Sequence, residues 1–157
     1  MPKITPFYWF DNNAEEAMNF YTAIFKNSKI GSVSRYGDKG PGPKGSVLVA
    51  TISLEGQEIM LLNGGPHYKL SPAASLVVNC ETQEEIDYYG DSLTSDGGRA
   101  SRCGWLEDKF GLSWQVVPNM LGKLMSGGDP AKSNRMMQEL LKMDKLIIAD
   151  LQRAYEG

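Results

Sequence analysis

Few residues of this chain could do chemistry, and their spacing limits what that chemistry is. A single histidine, His67, sits in the loop "NGGPHYKL", and Cys80 and Cys103 are the only thiols. His67 has no carboxylate beside it in sequence to orient it as a base, so a loop-packing or surface role is favoured. No serine stands on a nucleophile-elbow pattern. Neither cysteine has another at metal-ligand spacing, and two reduced, mostly buried thiols are favoured over a disulfide. The glycines of "GPGPKG" lack the Lys-Ser/Thr of a phosphate loop, which leaves a mobile connection whose one functional reading is a lid. Arg35 and Arg102 each follow a predicted helix. Each either holds a carboxylate or phosphonate or stands solvated on an outer rim, and the second reading is favoured.

Gln115 is harder to set aside. It lies at the centre of "FGLSWQVVP", where Trp, Val and Val mark a strand and Pro118 ends it. Alternation puts Ser113, Gln115 and Val117 on one face and Trp114 and Val116 on the other. The amide therefore faces water, a ligand, a metal or its own neighbours.

The elements that must position these residues come in two similar sets. "ITPFYWF" reads as a strand and "NAEEAMNFYTAIF" as a helix, with Asn13 and Glu16 spaced as a capping box and Ala17, Met18, Tyr21, Ile24 and Phe25 on one stripe. Strands over "IGSVSRYG", "SVLVATISL" and "IMLLNG" follow. From Ala74 the pattern repeats: strand "SLVVNC", a helix capped by Thr82 and Glu85 with a stripe of Ile86, Tyr89 and Leu93, a stop at Gly97-Gly98, then strands in "RASRCGWL" and "LSWQVVP". Sliding one set on the other by 69 superimposes Asn13 on Thr82 and Ile24 on Leu93. Two copies must pack together to close a core. The expected fold is α+β: one domain over 1–157, with βαβββ modules at 3–63 and 74–118 and a helical tail at 119–157. In the tail, Asp129 is a predicted N-cap and Pro130 the first helical residue. The stripes Ser133, Met136, Met137, Leu140, Leu141 and Ile147, Ile148, Leu151, Ala154, Tyr155 need burial, on the chain's own sheet or on a partner subunit.

Alternation then sorts the strands. Phe7, Trp9, Ile59, Leu61, Leu76, Val78, Cys80, Trp114 and Val116 form a uniformly apolar set, suited to lie beneath helices. Pro6, Tyr8, Phe10, Met60, Leu62, Ser75, Val77, Asn79, Ser113, Gln115 and Val117 mix apolar walls with hydroxyls and amides. That is the composition of a small-molecule pocket. From this set, Tyr8, Phe10, Met60, Leu62, Ser75, Val77, Asn79, Ser113 and Gln115 are the candidate ligand-binding residues.

With the duplicated βαβββ order, "AEEAMNFYTAIF", "NGGPHYKL" and "DKFGLSWQVVP", essentially the whole chain resembles the vicinal oxygen chelate superfamily, the fold of glyoxalase I and extradiol dioxygenases. Within it the chain is similar to the PhnB-like branch, often labelled 3-demethylubiquinone-9 3-methyltransferase. The resemblance implies two sheets curled into a mixed-sheet cup, helices outside, a ligand inside, and a homodimer. Metal-binding members take His, Glu or Gln ligands from the first and last strands of each module. The helix alignment places Pro6 and Ser75 at the first-strand positions, and superimposing Gly56 on Gly111 places Met60 and Gln115 at the last-strand ones. One neutral amide is a poor set for a divalent ion. No metal and no cofactor are therefore expected, and Gln115 either bonds a ligand or a cavity water or is satisfied by neighbouring side chains. The methyltransferase label finds no support, since no glycine-rich strand-to-helix turn is present.

The 157 residues, 41% hydrophobic and 22% charged, describe a globular chain with a real core. A net charge of −3 argues against nucleic acid. The opening "MPKITPFYWFDNN" has no signal-peptide stretch and no run is apolar enough for a bilayer, so a cytoplasmic protein away from membranes is expected. The expected function is small-molecule binding of unproven activity. The alternatives are a divalent-metal lyase, isomerase or dioxygenase, or a resistance protein that sequesters a toxic compound.

Overall fold

The computed structural model describes residues 2–157 and divides into two compact units, 1–70 and 71–157. In the first, β1 (Phe7–Phe10), α1 (Ala14–Ile24), β2 (Ser28–Arg35), β3 (Val47–Leu54) and β4 (Gln57–Asn63) build a four-stranded mixed sheet of order β1-β4-β3-β2. The β1–β4 pair is parallel and the others antiparallel. Glu55 and Gly56, both at positive φ, make the tight β3–β4 hairpin whose twist suits its strands. The apolar stripe of α1 is buried as its spacing predicts, and Ala17, Met18, Tyr21, Ile24 and Phe25 lie beneath solvent with Ala50, Ile52, Ile59 and Leu61.

The second unit repeats this with β5 (Ser75–Cys80), α2 (Gln83–Thr94), β6 (Arg99–Ala100), β7 (Trp105–Glu107) and β8 (Ser113–Pro118), in the order β5-β8-β7-β6. Thr82 Oγ1 accepts from the Glu85 N–H, and the Glu85 carboxylate accepts in turn from the Glu81 N–H. The predicted stripe of Ile86, Tyr89 and Leu93 is buried. Three tail helices, α3 (Asn119–Gly127), α4 (Pro130–Leu140) and α5 (Ile148–Glu156), belong to this unit. Asp129 caps α4 from its side chain, with Pro130 in the first turn.

The tail's apolar stripes are covered in part by their own chain, while Leu141 at 56% and Ile147 at 37% stay exposed against expectation. Met136, Leu140, Leu146 and Leu151 form a buried cluster that also takes in Cys103 and Val117. The segment before α5 is tied down by its backbone: Cys103 and Gly104 donate to the carbonyls of Met143 and Asp144. Gln83 bonds both the Leu146 carbonyl and the Ile148 N–H. Gly104 must be glycine here. Its φ is +85°, and a Cβ would sit 2.9 Å from the Val116 carbonyl. A partner subunit is therefore not what buries these residues.

One expectation is corrected. Asn13 makes no side-chain cap on α1; the first N–H of that helix, Ala14, is taken by Asn63 Oδ1 at 2.8 Å. The glycine loop after β2 folds back on Tyr36. Tyr36 exchanges backbone bonds with Ser46 and Gly45, and a Cβ at Gly40 or Gly42 would strike the Tyr36 ring at 2.6 or 2.5 Å.

Candidate functional site

Each sheet has one face turned to α1 or α2 and an opposite, open face, which in the second unit meets the tail cluster at Val117; strand register assigns the side chains. In the second unit, Ser75 pairs with Ser113, Val77 with Gln115 and Asn79 with Val117, so all six share the open face. Their counterparts Leu76, Val78, Cys80, Trp114 and Val116 turn to the helix side, as expected. Burial there pushes the Cys80 thiol up to about 12.

The first unit departs from expectation at β1. Phe7 pairs with Met60 and Trp9 with Leu62, whereas Tyr8 pairs with Leu61 and Phe10 with Asn63. Leu61 and Phe10 are buried against α1, so Tyr8 and Phe10 lie on the helix side and not among the open-face residues. Burial also raises the Tyr8 phenol above its ordinary range. Phe7 and Trp9 take their place beside Met60 and Leu62. The cause is one residue of loop: Asp11, Asn12 and Asn13 join β1 to α1, but only Glu81 and Thr82 join β5 to α2. The repeat slides by 69 along its helices and by 70 along its first strands. A slip of one turns every side chain of a strand to the other face. The exposures agree with the new register, since Phe7 is 49% exposed and its counterpart Val77 is 50%.

Polar groups on the first unit's open face are largely consumed. The Trp9 indole donates to the Gly65 carbonyl at 2.9 Å and meets Tyr68 edge-on at 4.9 Å. Gly64 lies flat on the same indole, where a Cβ would come within 2.4 Å. This folds "NGGPHYKL" back on the strand and leaves His67 on the exposed side of the loop.

The second unit keeps more chemistry. Gln115 Nε2 donates to Ser75 Oγ at 3.0 Å, so a neighbouring side chain takes up its amide N–H. The Ser113 hydroxyl has no protein partner among the described residues, none of whose buried side-chain polar atoms lacks one, so it keeps contact with solvent. Cross-strand pairing extends the row: Ser113 faces Glu107, Glu107 faces Arg99, and the guanidinium donates to the Glu107 carboxylate at 3.0 Å. Trp105 stands opposite Gln115. Arg99, Trp105 and Glu107 were not legible as site residues, because β6 has two residues and a turn at Cys103-Gly104 hides the alternation.

The two arginines that the sequence singles out lie elsewhere. Arg35 pairs with Glu15 of α1 at 2.7 Å and donates to the Gly45 carbonyl; the hydrogen bond and charge of Glu15 raise its pKa. Arg102 is exposed in the bend after β6, not in a strand.

Asp108 was also missed. This buried carboxylate accepts from the N–H groups of Phe110 and Leu112 and from the Trp114 indole, each near 2.9–3.0 Å. It builds the turn that launches β8. Its signal was an aspartate two residues before a turn N–H, the side-chain mimic of a backbone turn.

The residues do not suit a divalent ion. With strands aligned by 70, the first-strand positions are Thr5 and Ser75 instead of Pro6 and Ser75, and the last-strand positions remain Met60 and Gln115. None supplies an imidazole or carboxylate. Among the described residues no three His, Cys, Asp or Glu side chains gather closely enough to hold a metal. No helix of those residues is long and apolar enough to cross a membrane.

Comparison with known proteins agrees with this geometry. The family model described as 3-demethylubiquinone-9 3-methyltransferase matches residues 2–117. The chain belongs to that family, the PhnB-like branch of the vicinal oxygen chelate superfamily. A solved structure described as a putative 3-demethylubiquinone-9 3-methyltransferase, PhnB protein, from Bacillus cereus is 44% identical. That match covers 74% of this chain and 99% of the other, with a TM-score of 0.69. The fosfomycin resistance protein FosX from Listeria monocytogenes, solved with Mn(II) and sulfate, shares the fold at 12% identity. It covers 80% of this chain and 98% of its own, with a TM-score of 0.55. No curated protein matches the chain. The family match ends at residue 117, within β8, so the resemblance expected over essentially the whole chain is matched there only up to the start of the tail, and α3, α4 and α5 lie outside the matched region.

Proposed function

We propose that this PhnB-like protein binds a small organic molecule on the open face of its second unit, without a catalytic metal. The carrying observation is the Ser75–Gln115 pair on the strand face opposite α2, beside the Ser113 hydroxyl, which bonds no protein group among the described residues. Such a face combines apolar wall, from Val77, with a few hydrogen-bonding groups that would orient a guest. Of the sequence-predicted residues, Ser75, Val77, Asn79, Ser113 and Gln115 stay in this reading of the second unit; Met60 and Leu62 belong to the first unit's own open face with Phe7 and Trp9, and Tyr8 and Phe10 lie on its helix side.

Methyl transfer is not part of the proposal, because β1–α1 and β5–α2 are joined by "DNN" and "ET", with no glycine-rich turn to cradle a nucleotide-like cofactor. The metal-dependent activities of the wider superfamily are set aside on donor chemistry alone. Sequestration of a toxic compound and catalysis without a metal both start from the same binding step. The protein is placed in the cytoplasm as a homodimer.

Native mass spectrometry of freshly purified, tag-free protein, with elemental analysis of the same sample, tests this reading. A co-purified organic mass that is lost in Ser113→Val or Gln115→Leu supports it. A divalent metal near one equivalent per chain, released with loss of thermal stability, overturns it.

A further inference from the structure

We infer that the groove on the open face of β6, β7 and β8 takes a planar, uncharged ring bearing an imide, a carbonyl–NH–carbonyl edge. This rests on the open-face reading above and names the class of ligand. The groove has a volume of about 250 Å³ and is lined by Arg99, Ser101, Trp105, Glu107 and Ser113 among others. That lies just below the roughly 300–1,000 Å³ of drug-sized pockets, so a single ring is the appropriate size.

Charge decides first. The two ionised side chains of the groove, Arg99 and Glu107, are paired at 3.0 Å and cancel. A carboxylate guest that approached Arg99 would meet Glu107, and an ammonium guest that approached Glu107 would meet Arg99. A neutral guest meets no repulsion and can use both.

The order of hydrogen-bonding groups decides next. Register places Arg99, Glu107 and Ser113 in one cross-strand row. The guanidinium can only donate, the carboxylate only accept, and the Ser113 hydroxyl has its proton unassigned to any protein acceptor. Read along the row, the protein offers donor, acceptor, donor. An imide edge presents acceptor, donor, acceptor, its complement. Trp105 lies one step along the same face, where its indole provides a stacking surface for a flat ring, an interaction worth about tenfold or more in binding when present.

The test uses uracil as the imide probe, 3-methyluracil with the central N–H blocked, and benzoate and benzylamine as charged single rings. Each is titrated into the full chain while amide and indole resonances are followed by NMR. Uracil is expected to shift Trp105, Glu107 and Ser113, and 3-methyluracil to bind at least about tenfold more weakly, since a bond to a charged acceptor is lost. Glu107→Gln removes the balancing charge, so it should weaken uracil and strengthen benzoate. Benzoate or benzylamine binding the native chain more tightly than uracil at these residues overturns the imide class and leaves open-face binding standing. Equal affinity for the two uracils does the same. No shift at these residues with any probe overturns the groove as a site, whatever mass co-purifies with the protein.

Discussion

Asp108→Asn isolates the turn that sets β8, and its cost follows from three hydrogen bonds. In the native chain Oδ1 accepts from the backbone of Phe110 and Leu112 and Oδ2 from the Trp114 indole, all at 2.9–3.0 Å. Asparagine keeps the shape but carries one acceptor. Its better rotamer holds the oxygen on the two backbone N–H groups and turns the NH2 toward the indole N–H. That leaves the indole N–H of Trp114, a residue only 2% exposed, facing another donor. An unsatisfied buried donor costs about 1–3 kcal/mol, and exchanging a charged acceptor for a neutral one weakens the other two bonds. Relief from burying a carboxylate works in the opposite direction, but three N–H donors already compensate that charge. The net expectation is roughly 2–4 kcal/mol, a large share of the ~5–15 kcal/mol that holds a domain folded. With a urea m-value of about 1–3 kcal/mol/M, the midpoint falls by about 1–2 M, read by tryptophan fluorescence and near-ultraviolet circular dichroism. A loss below about 0.5 kcal/mol, the ordinary effect of a surface change, refutes the assignment of Asp108 as the organiser of the turn.

Cys80, fully buried with its thiol pKa pushed up to about 12, should resist an aromatic disulfide reagent at pH 8 until the protein unfolds; rapid modification of two thiols in the native chain contradicts this. Lys145 bonds Asp91 at 3.0 Å and Asp87 at 3.4 Å across the tail and α2. Asp87 is held below the ordinary carboxylate range by its Gln83 bond and by Lys145, so its contribution is present above about pH 4 and fades as pH falls through the lowered value. Lys145 is raised, chiefly by Asp91, so its contribution is present below about pH 10 and fades as pH rises through the raised value. The melting temperature of Lys145→Ala should therefore trail the native protein by a little, under about 1 kcal/mol for exposed partners, across the middle of the pH range and match it at both extremes. A chain ending at Pro118 uncovers Cys103 and Val117 and should lose stability, while the full chain should scatter light as twice 17.3 kDa; a single-chain mass across micromolar concentrations rejects the homodimer.

Local signals carried most of the fold. The capping box at Thr82 and Glu85, the alternation of "SLVVNC" and "LSWQVVP", and the Asp129-Pro130 start of α4 all have causes within a few residues of the chain. What was not legible depends on distant partners. Asn13 has the spacing of a cap, but Asn63, 49 positions away from Ala14 in sequence, takes the bond. The parity of β1 was lost because helix alignment was carried across a connection one residue longer than its counterpart, and alternation has no tolerance for that. In the tail, periodicity identified which residues of α4 are buried but not against what. The answer lies in backbone bonds from Cys103 and Gly104 to Met143 and Asp144, which leave no mark on side-chain pattern.

The duplicated units have diverged in what their open faces leave unpaired. In the first, the indole of Trp9 is spent on Gly65 and the hydroxyl of Tyr36 on the Asn63 carbonyl, so Phe7, Met60 and Leu62 present an apolar wall. In the second, the row from Arg99 to Ser75 contains an ion pair open to solvent and the Ser113 hydroxyl, which has no protein partner among the described residues. Closing off polar groups stabilises a unit by about 0.5–1.5 kcal/mol for each bond made, so a group left open beside a strand that could have carried valine is a cost without structural return. Gln115 belongs to the same account. Its amide hydrogen bonds Ser75, but its carbonyl has no protein partner among the described residues, and Val116, the next residue, shows that this strand readily takes an apolar side chain. Stability alone would favour the wall of the first unit in both copies. The retained polar row is the difference between the two units on which the proposed binding reading rests.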